Sequence, residues 1–436
     1  MTNAEHHTAR RFAVATLGCK VNQFETAEMI EQLLHSGWQQ TGFGEPADLY
    51  LINTCTVTAR SDAESRRLIR RARRADPEAR IVVTGCYAQV APEELKQLPE
   101  VGLVLGNEEK KDLCTMIRAG IHQVTDLTHL KEAGPLRLTS FAEHTRAFLQ
   151  VQNGCEAGCS YCIVPTARGP SRSVTADEVV QAVKRLAEAD YKEIVLTGIH
   201  LGAYGLDLDR SGSLTQLVRL LDQLAAVPRL RLGSIEPNEL TDELLALFTG
   251  SSRLCPHLHI PLQSGSDSVL QRMGRQYDTA LYRARIERAA DLLPDAFIAA
   301  DLIAGFPGET EHEFAETCLL LESLPLADLH VFPYSRRPGT RAAAMAGHLQ
   351  PAIIKERAEQ LRTLAAIKRK AFQQRFIGGS LQVLGQQHDY RTGMMTGLAR
   401  NYLEVCYSAD ASLLNHEVVV QVQELQDGRL SGRRSD

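Results

Sequence analysis

No stretch of this sequence approaches the roughly 18 consecutive apolar residues that a membrane-spanning helix requires, so no membrane association is expected. An excess of positive charge is also missing. The 48 basic and 53 acidic residues leave a net charge of −5, so a nucleic-acid partner must be met by a local basic face rather than by bulk charge. No repeat at solenoid periods and no low-complexity tract occurs, which excludes stacked-repeat and extended disordered architectures. A secretion signal is imitated but not made. Arg10 and Arg11 precede an apolar run from Phe12 to Leu17 that ends at Gly18 and Cys19, yet six residues are fewer than a signal core needs and read as a buried strand.

What the chain does have is cysteine. Ten thiols without a credible secretion signal point to the cytoplasm, a reducing compartment where clustered thiols mean metal binding or catalysis more often than disulfides. At 436 residues the chain is too long for one ordinary core, and two to four domains are expected.

From Phe12 to about Asp126, short apolar strands (Phe12–Leu17, Asp48–Ile52, Arg80–Thr84, Val101–Leu105) alternate with helical stretches, the pattern of a parallel α/β domain. A polar stretch with Gly134 and Pro135 reads as a linker. Six further candidate strands follow: Ala147–Gln152, Glu193–Thr197, Leu230–Ile235, His257–Leu262, Phe297–Ile303 and Asp328–Phe332. Each precedes a helical pattern long enough for a right-handed crossover, so a partial (β/α)6 barrel with its working face at the C-terminal strand ends is expected. Pro351 opens a periodic helix that Gly378 and Gly379 end. Short strands at Leu381–Leu384, Tyr402–Tyr407 and Val418–Val422 then suggest a small all-β barrel.

Cys155, Cys159 and Cys162 form a C-x3-C-x2-C loop directly after the first barrel strand. Three thiolates on one loop can hold three irons of a cubane cluster and leave the fourth iron without a protein ligand, free to chelate S-adenosylmethionine. A zinc knuckle is the alternative. Cys19, Cys55 and Cys86 are far apart in sequence, but each follows a candidate strand end by one to three residues. Such ends share one edge of an open parallel sheet, so the three thiols should converge; otherwise they are separately buried core cysteines. Cys114, Cys255, Cys318 and Cys406 show no comparable placement and read as packing residues.

The C-x3-C-x2-C spacing resembles the radical SAM superfamily. Together with Leu17-Gly18-Cys19-Lys20-Val21-Asn22-Gln23, Asn53-Thr54-Cys55, Thr84-Gly85-Cys86, Gly305-Phe306-Pro307-Gly308 and Tyr334-Ser335-Arg336-Arg337-Pro338-Gly339-Thr340, the chain looks like the methylthiotransferase family from about Phe12 to Gln423. The resemblance implies an N-terminal domain (10–126) with an auxiliary 4Fe-4S cluster on Cys19, Cys55 and Cys86, a linker (127–146) and a radical SAM partial barrel (147–350) with a 4Fe-4S cluster on Cys155, Cys159 and Cys162. A connecting helix (351–377) and a TRAM domain (378–436), a small OB-like barrel, would complete the chain. One S-adenosylmethionine would methylate a sulfur on the auxiliary cluster, and a second would be cleaved to the radical that joins the methylthio group to a substrate carbon. The resemblance also places a cofactor pocket at the strand ends: Tyr161 in the cysteine loop, Gly198 near the methionine amino group, Glu236 at the end of the third strand, Gln263 and Ser264 near the ribose, and Ile303, Gly305 and Phe332 near the adenine. Each of these could equally be an ordinary strand-end turn residue.

Leu-Gly-Cys-Lys-Val-Asn-Gln is most similar to the branch acting on N6-threonylcarbamoyladenosine at tRNA position 37. Branches acting on isopentenyladenosine in tRNA or on a ribosomal-protein aspartate, which carry other residues after the first cysteine, are alternatives, as is a non-catalytic iron–sulfur RNA-binding protein. The implied partners are a tRNA anticodon stem-loop and a low-potential electron donor such as flavodoxin or ferredoxin. The stretch Arg60–Arg74 carries seven arginines and an apolar stripe of Leu68, Ile69, Ala72 and Ala75. Arg66, Arg70 and Arg73 would project from another face as phosphate contacts, unless that face is merely solvated. No Asp-x-His-x-x-Gly loop is present in the N-terminal domain, so a cobalamin module is not expected there.

Overall fold

Five parallel strands build the N-terminal sheet in the order Gln39–Gln40, Arg11–Thr16, Leu49–Thr54, Arg80–Gly85, Leu103–Val104. The computed structural model describes residues 10–141, 145–208 and 212–435; residues 142–144 of the expected linker and Asp436 lie outside the described residues. Leu49–Thr54 is buried along its whole length, as a central strand covered on both faces must be. The chain runs outward in both directions from the pair Arg11–Thr16 and Leu49–Thr54, so a topological switch point opens between their C-terminal ends. Cys19 and Cys55 follow those two ends.

The six expected strands of the second unit are present, in two sheets. Arg146–Asn153, Glu193–Gly198 and Arg229–Leu232 are parallel neighbours, and so are His257–His259, Phe297–Ala304 and Asp328–Pro333. Isolated bridges at Leu230/Leu254 and Ser234/His259 join the sheets into one curved wall. The open side of this partial barrel is met by the N-terminal helix Lys20–His35, which sends Phe24 and Ala27 into the barrel's own core. The two units therefore share one apolar interior.

The last unit is a closed barrel of five strands, Ser380–Asp389, Met394–Ala399, Glu404–Ser408, Arg429–Arg434 and Glu417–Gln426, in that spatial order. Periodicity locates three of them. Met394–Ala399 hides its alternation because Gly397 replaces a side chain where a Cβ would lie 2.5 Å from Val383 Cγ1. Arg429–Arg434 is polar apart from the buried Leu430. The helix Pro351–Gln374 connects this barrel to the central one, with its proline in the first turn. At the foot of the central barrel, Glu193 lies fully buried between Arg229 Nε at 2.7 Å and Arg231 Nε at 2.8 Å. The same arginines reach the backbone carbonyls of Leu398 and Arg400, which fixes the small barrel there. Among the described residues no helix is long and apolar enough to cross a membrane.

Candidate active site

The loop of Cys155, Cys159 and Cys162 is shaped by Gly154, at φ +76°, whose Cβ would stand 1.8 Å from the Pro170 carbonyl oxygen. The Ser160 amide donates to Met273 O at 2.8 Å and its hydroxyl to Arg272 O at 2.9 Å, pinning the loop to the end of helix Asp267–Met273. Just beyond that helix, Arg275 Nη1 donates to Cys159 Sγ at 3.0 Å, while Arg275 Nη2 pairs with the Glu236 carboxylate. Cys155 Sγ lies 3.8 Å from His200 Nδ1, and His200 Nε2 is 2.7 Å from Glu239. Burial pushes the Cys162 thiol up to about 12.

Cys19, Cys55 and Cys86 also converge, and their charges act on one another. An asparagine pair holds the strand ends together. Asn22 Nδ2 donates to Leu17 O at 2.7 Å and Thr54 O at 3.0 Å, and Asn53 Nδ2 donates to Asn22 O at 3.0 Å. Gly85 sits at φ +97°, where a Cβ would lie 2.4 Å from Thr54 O, so only glycine lets Cys86 turn back over the sheet edge. Burial raises the thiol of Cys55. Arg168, from the barrel helix Val164–Arg168, enters this cluster fully buried. Its Nε donates to Cys86 Sγ at 3.3 Å, and its Nη atoms bond Glu25 and Asn22.

Among the described residues the three-donor group gathered within 4.8 Å is His259, Asp301 and His330, so both cysteine triads are spread more widely than the ligands of one ion. Three soft donors at that spread suit a multi-iron cluster better than a single tetrahedral ion, and each triad leaves one position without a cysteine.

A cleft of about 220 Å³ opens beside Cys162, at the C-terminal strand ends of the central barrel. One wall is Val57 and Thr58, two and three residues after Cys55; another is Tyr161 to Val164, through Cys162. Gln263, Asp301, Ile303 and Phe332 supply the barrel side. Gln263 is held at φ +69°, an unusual conformation for a side-chain-bearing residue and a mark of functional strand ends. Clamps fix the Cys55 wall: Arg337 Nη2 lies 2.7 Å from both Thr56 Oγ1 and Asp62 Oδ2, and Ser335 Oγ accepts from the Ala59 amide at 2.9 Å.

The structure thus brings Tyr161, Gln263, Ile303 and Phe332 into one cleft, with Glu236 beside Cys159 through Arg275. Gly198 packs at its strand end, where a Cβ would meet Gln152 Oε1 at 2.9 Å. Ser264 turns away: it is buried, and its hydroxyl accepts from the Ser266 amide and faces Thr317. Gly305 makes room for Ile354 of the connecting helix, 2.6 Å from its would-be Cβ. In the basic helix Ala59–Ala75, Arg66 bonds Tyr87 and Glu94, and Arg73 caps the carbonyls of Ala79 and Glu100; Arg70 alone of the three is exposed. Arg168, His200, Arg275 and Arg337 escape sequence reasoning as site residues. Arg337 stands in a quoted motif without a role, and nothing in spacing links the others to a sulfur.

Residues 11–106 match the model of a family described as Uncharacterized protein family UPF0004, and residues 149–321 match the Radical SAM superfamily. The chain is 37% identical to the threonylcarbamoyladenosine tRNA methylthiotransferase MtaB of Bacillus subtilis, over 94% of this chain and 93% of that protein. A tRNA-2-methylthio-N(6)-dimethylallyladenosine synthase of Pelobacter propionicus is 32% identical over 96% of this chain and 97% of its own. The chain belongs to the radical SAM methylthiotransferase family. It is accordingly a radical SAM transferase with 4Fe-4S clusters and S-adenosylmethionine as cofactors. The fold of this methylthiotransferase is similar to that of the radical S-adenosylmethionine methyltransferase TsrM of Kitasatospora setae, with a TM-score of 0.53, 15% identity and 77% of each chain covered.

Proposed function

We propose that this methylthiotransferase converts N6-threonylcarbamoyladenosine at position 37 of tRNA to its 2-methylthio derivative. The observation that carries this reading is the cleft itself, a single space walled by Val57 and Thr58 of the N-terminal unit and by the Cys162 loop of the barrel, where a nucleobase would lie against both units. The identity to relatives named for that substrate supports it. When bound, the clusters and S-adenosylmethionine supply a 5′-deoxyadenosyl radical and a methylthio group.

The chain's own residues divide the work. Cys155, Cys159 and Cys162 would hold the radical-generating cluster, and Cys19, Cys55 and Cys86 the sulfur-delivering one. Arg275 and Arg168 donate to one sulfur of each triad, which offsets thiolate charge and orients the ligand. Tyr161, Gln263, Ile303 and Phe332, on the barrel side of the cleft, would receive S-adenosylmethionine, together with Gly198 and the Glu236–Arg275 pair. The closed C-terminal barrel and the exposed Arg70 would meet the anticodon stem-loop. A low-potential donor such as flavodoxin or ferredoxin would supply electrons in the cytoplasm. Functional boundaries at 10–126, 147–350 and 378–436 follow from this division.

The test is mass spectrometry of tRNA nucleosides from cells lacking the protein, with and without a plasmid copy. The methylthio derivative of threonylcarbamoyladenosine should vanish and return. Persistence of that nucleoside with loss of methylthio-isopentenyladenosine would overturn the substrate.

A further inference from the structure

One layer of the barrel interior is polar. Ser234, His259, Asp301 and His330 come from four successive strands, Ser234 just past the end of its own, and the pairing puts them at one level. Ser234 bridges to His259, and His259 is in register with Ala299. Asp301, two residues further along the same face as Ala299, is in register with His330. In closed β/α barrels such layers are filled by branched apolar side chains, so a layer of two imidazoles, a carboxylate and a hydroxyl calls for a function.

The donors converge. His259 Nε2 lies 2.7 Å and His330 Nδ1 3.2 Å from the same oxygen of Asp301, Oδ1, and one ligand atom from each residue lies within 4.8 Å of the others. Atoms bound at about 2.0–2.2 Å around one ion stand about 3 Å apart, so these separations match the edges of a coordination polyhedron. The two imidazole rings do not stack: their centroids are 4.9 Å apart and their planes are inclined at 63°. A carboxylate serving only as a hydrogen-bond acceptor has a second oxygen to offer, yet both imidazoles meet at Oδ1, as three donors around one ion do. Behind His259, Ser234 Oγ lies 2.6 Å from Nδ1, where a hydroxyl orients an imidazole whose other nitrogen holds a metal. Asp301 also lines the cleft, which gives an ion a path in, and the His330 side chain, 42% accessible, leaves one side open to water as a further ligand.

We propose that His259, Asp301 and His330 bind one divalent ion of the zinc class, separate from the iron of the two cysteine triads. Two imidazole nitrogens with one carboxylate oxygen suit zinc, whereas magnesium and calcium take sites built from oxygen. Bound there, the ion ties three neighbouring barrel strands together beside the cleft and keeps at least one position for an oxygen ligand.

The experiment uses the full chain without an affinity tag, its clusters reconstituted anaerobically so that the six triad cysteines are occupied, as wild type, His259→Gln, Asp301→Asn and His330→Gln. Each is dialysed to equilibrium against a series of zinc chloride concentrations, and zinc and iron per chain are measured by mass spectrometry. Wild type should bind one zinc per chain. Each variant should bind it at least about tenfold more weakly at unchanged iron, since losing a ligand costs no less than losing an outer-shell partner. X-ray absorption at the zinc edge of the wild type should show nitrogen and oxygen neighbours at about 2.0–2.1 Å and no sulfur near about 2.3 Å. Wild type that binds no zinc, zinc with sulfur neighbours, or affinity unchanged in the variants would each overturn the inference. Where His259→Gln or Asp301→Asn also loses iron, His330→Gln, at the most accessible of the three positions, decides alone. None of these outcomes depends on which nucleoside is modified.

Discussion

Cys155, Cys159 and Cys162 stand on one loop, held by Gly154 and by bonds to the end of helix Asp267–Met273 and to Arg341 and Ala342, whereas Cys19, Cys55 and Cys86 come from three strand ends and meet only because the sheet pairs in register, Thr16 with Asn53 and Thr54 with Gly85. The first triad carries its geometry in its spacing. The second is a property of the folded sheet, maintained by the Asn22–Asn53 pair and by two glycines at positive φ, Gly18 and Gly85. A local site should survive damage to its surroundings that a dispersed site does not. The largest expected effects come from removing each triad outright. With Cys155, Cys159 and Cys162 all replaced by alanine, the reconstituted protein should keep about half its iron and form no 5′-deoxyadenosine, so every downstream product is lost. With Cys19, Cys55 and Cys86 replaced, 5′-deoxyadenosine should still form while methylthiolated nucleoside disappears, provided an unchanged far-UV circular dichroism spectrum shows the sheet intact. Methylthiolated product at the wild-type yield would remove the proposed distinction between the triads.

Arg168 tests how separate the two sites are, because it stands just beyond the local loop yet donates to Cys86 of the dispersed one. Arg168→Met would leave the buried Glu25 with Lys110 as its remaining charge partner. Breaking such a buried pair costs about 3–5 kcal/mol. The expected result is a lower unfolding temperature and loss of iron from the Cys19, Cys55 and Cys86 side first, read as retained 5′-deoxyadenosine formation with reduced methylthiolation. Equal loss of both activities would mean that the triads depend on one shared framework.

The same contrast explains what could be read without coordinates. The C-x3-C-x2-C loop and the strand-end placement of Cys19, Cys55 and Cys86 are visible because local spacing and the end of an apolar run are properties of neighbours in the chain. The six barrel strands are visible for the same reason. Arg168 and Arg275 are not, since an arginine aimed at a sulfur from another element leaves no periodic trace. Ser264 and Gly305 show what a strand-end position leaves open: Ser264 bonds the Ser266 amide within a turn, and Gly305 admits Ile354 of the connecting helix. The strand Met394–Ala399 was hidden by Gly397, whose missing side chain is what packing there requires.

Two glycines offer a finer comparison. Gly85, in the dispersed site, has backbone oxygen and nitrogen of Thr54 within 2.5 Å of its would-be Cβ, whereas Gly158, between two cysteines of the local loop, would meet only Glu156 O at 3.9 Å. Both adopt positive φ, so both substitutions carry backbone strain, but only the first adds a clash that must move a strand. Gly85→Ala should cost about 2–3 kcal/mol and lower iron bound at the N-terminal triad. Gly158→Ala should cost about 1 kcal/mol and leave iron near the wild-type level. If Gly158→Ala proves the more damaging, the local loop is the more tightly constrained of the two.

The smallest expected effect separates arginines that serve the fold from one free to serve a partner, within a single helix that begins just after Cys55. Arg66 lies over Tyr87 and pairs with Glu94, and Arg73 caps backbone carbonyls, so replacing either by glutamine should change stability rather than RNA affinity alone. Arg70 is exposed, and among the described residues its guanidinium makes no hydrogen bond or ion pair. Arg70→Gln should therefore leave the unfolding temperature within error, because surface substitutions away from such contacts stay within about 0.5 kcal/mol. If Arg70 meets a phosphate of the anticodon stem-loop, its loss should weaken binding uniformly across RNA sequences and reduce the slope of log K against log salt by about 1. Binding measured at several salt concentrations checks both parts. An unchanged slope with Arg70→Gln would return this helix to a solvated face, and the basic contacts of the RNA would then have to be sought on the C-terminal barrel.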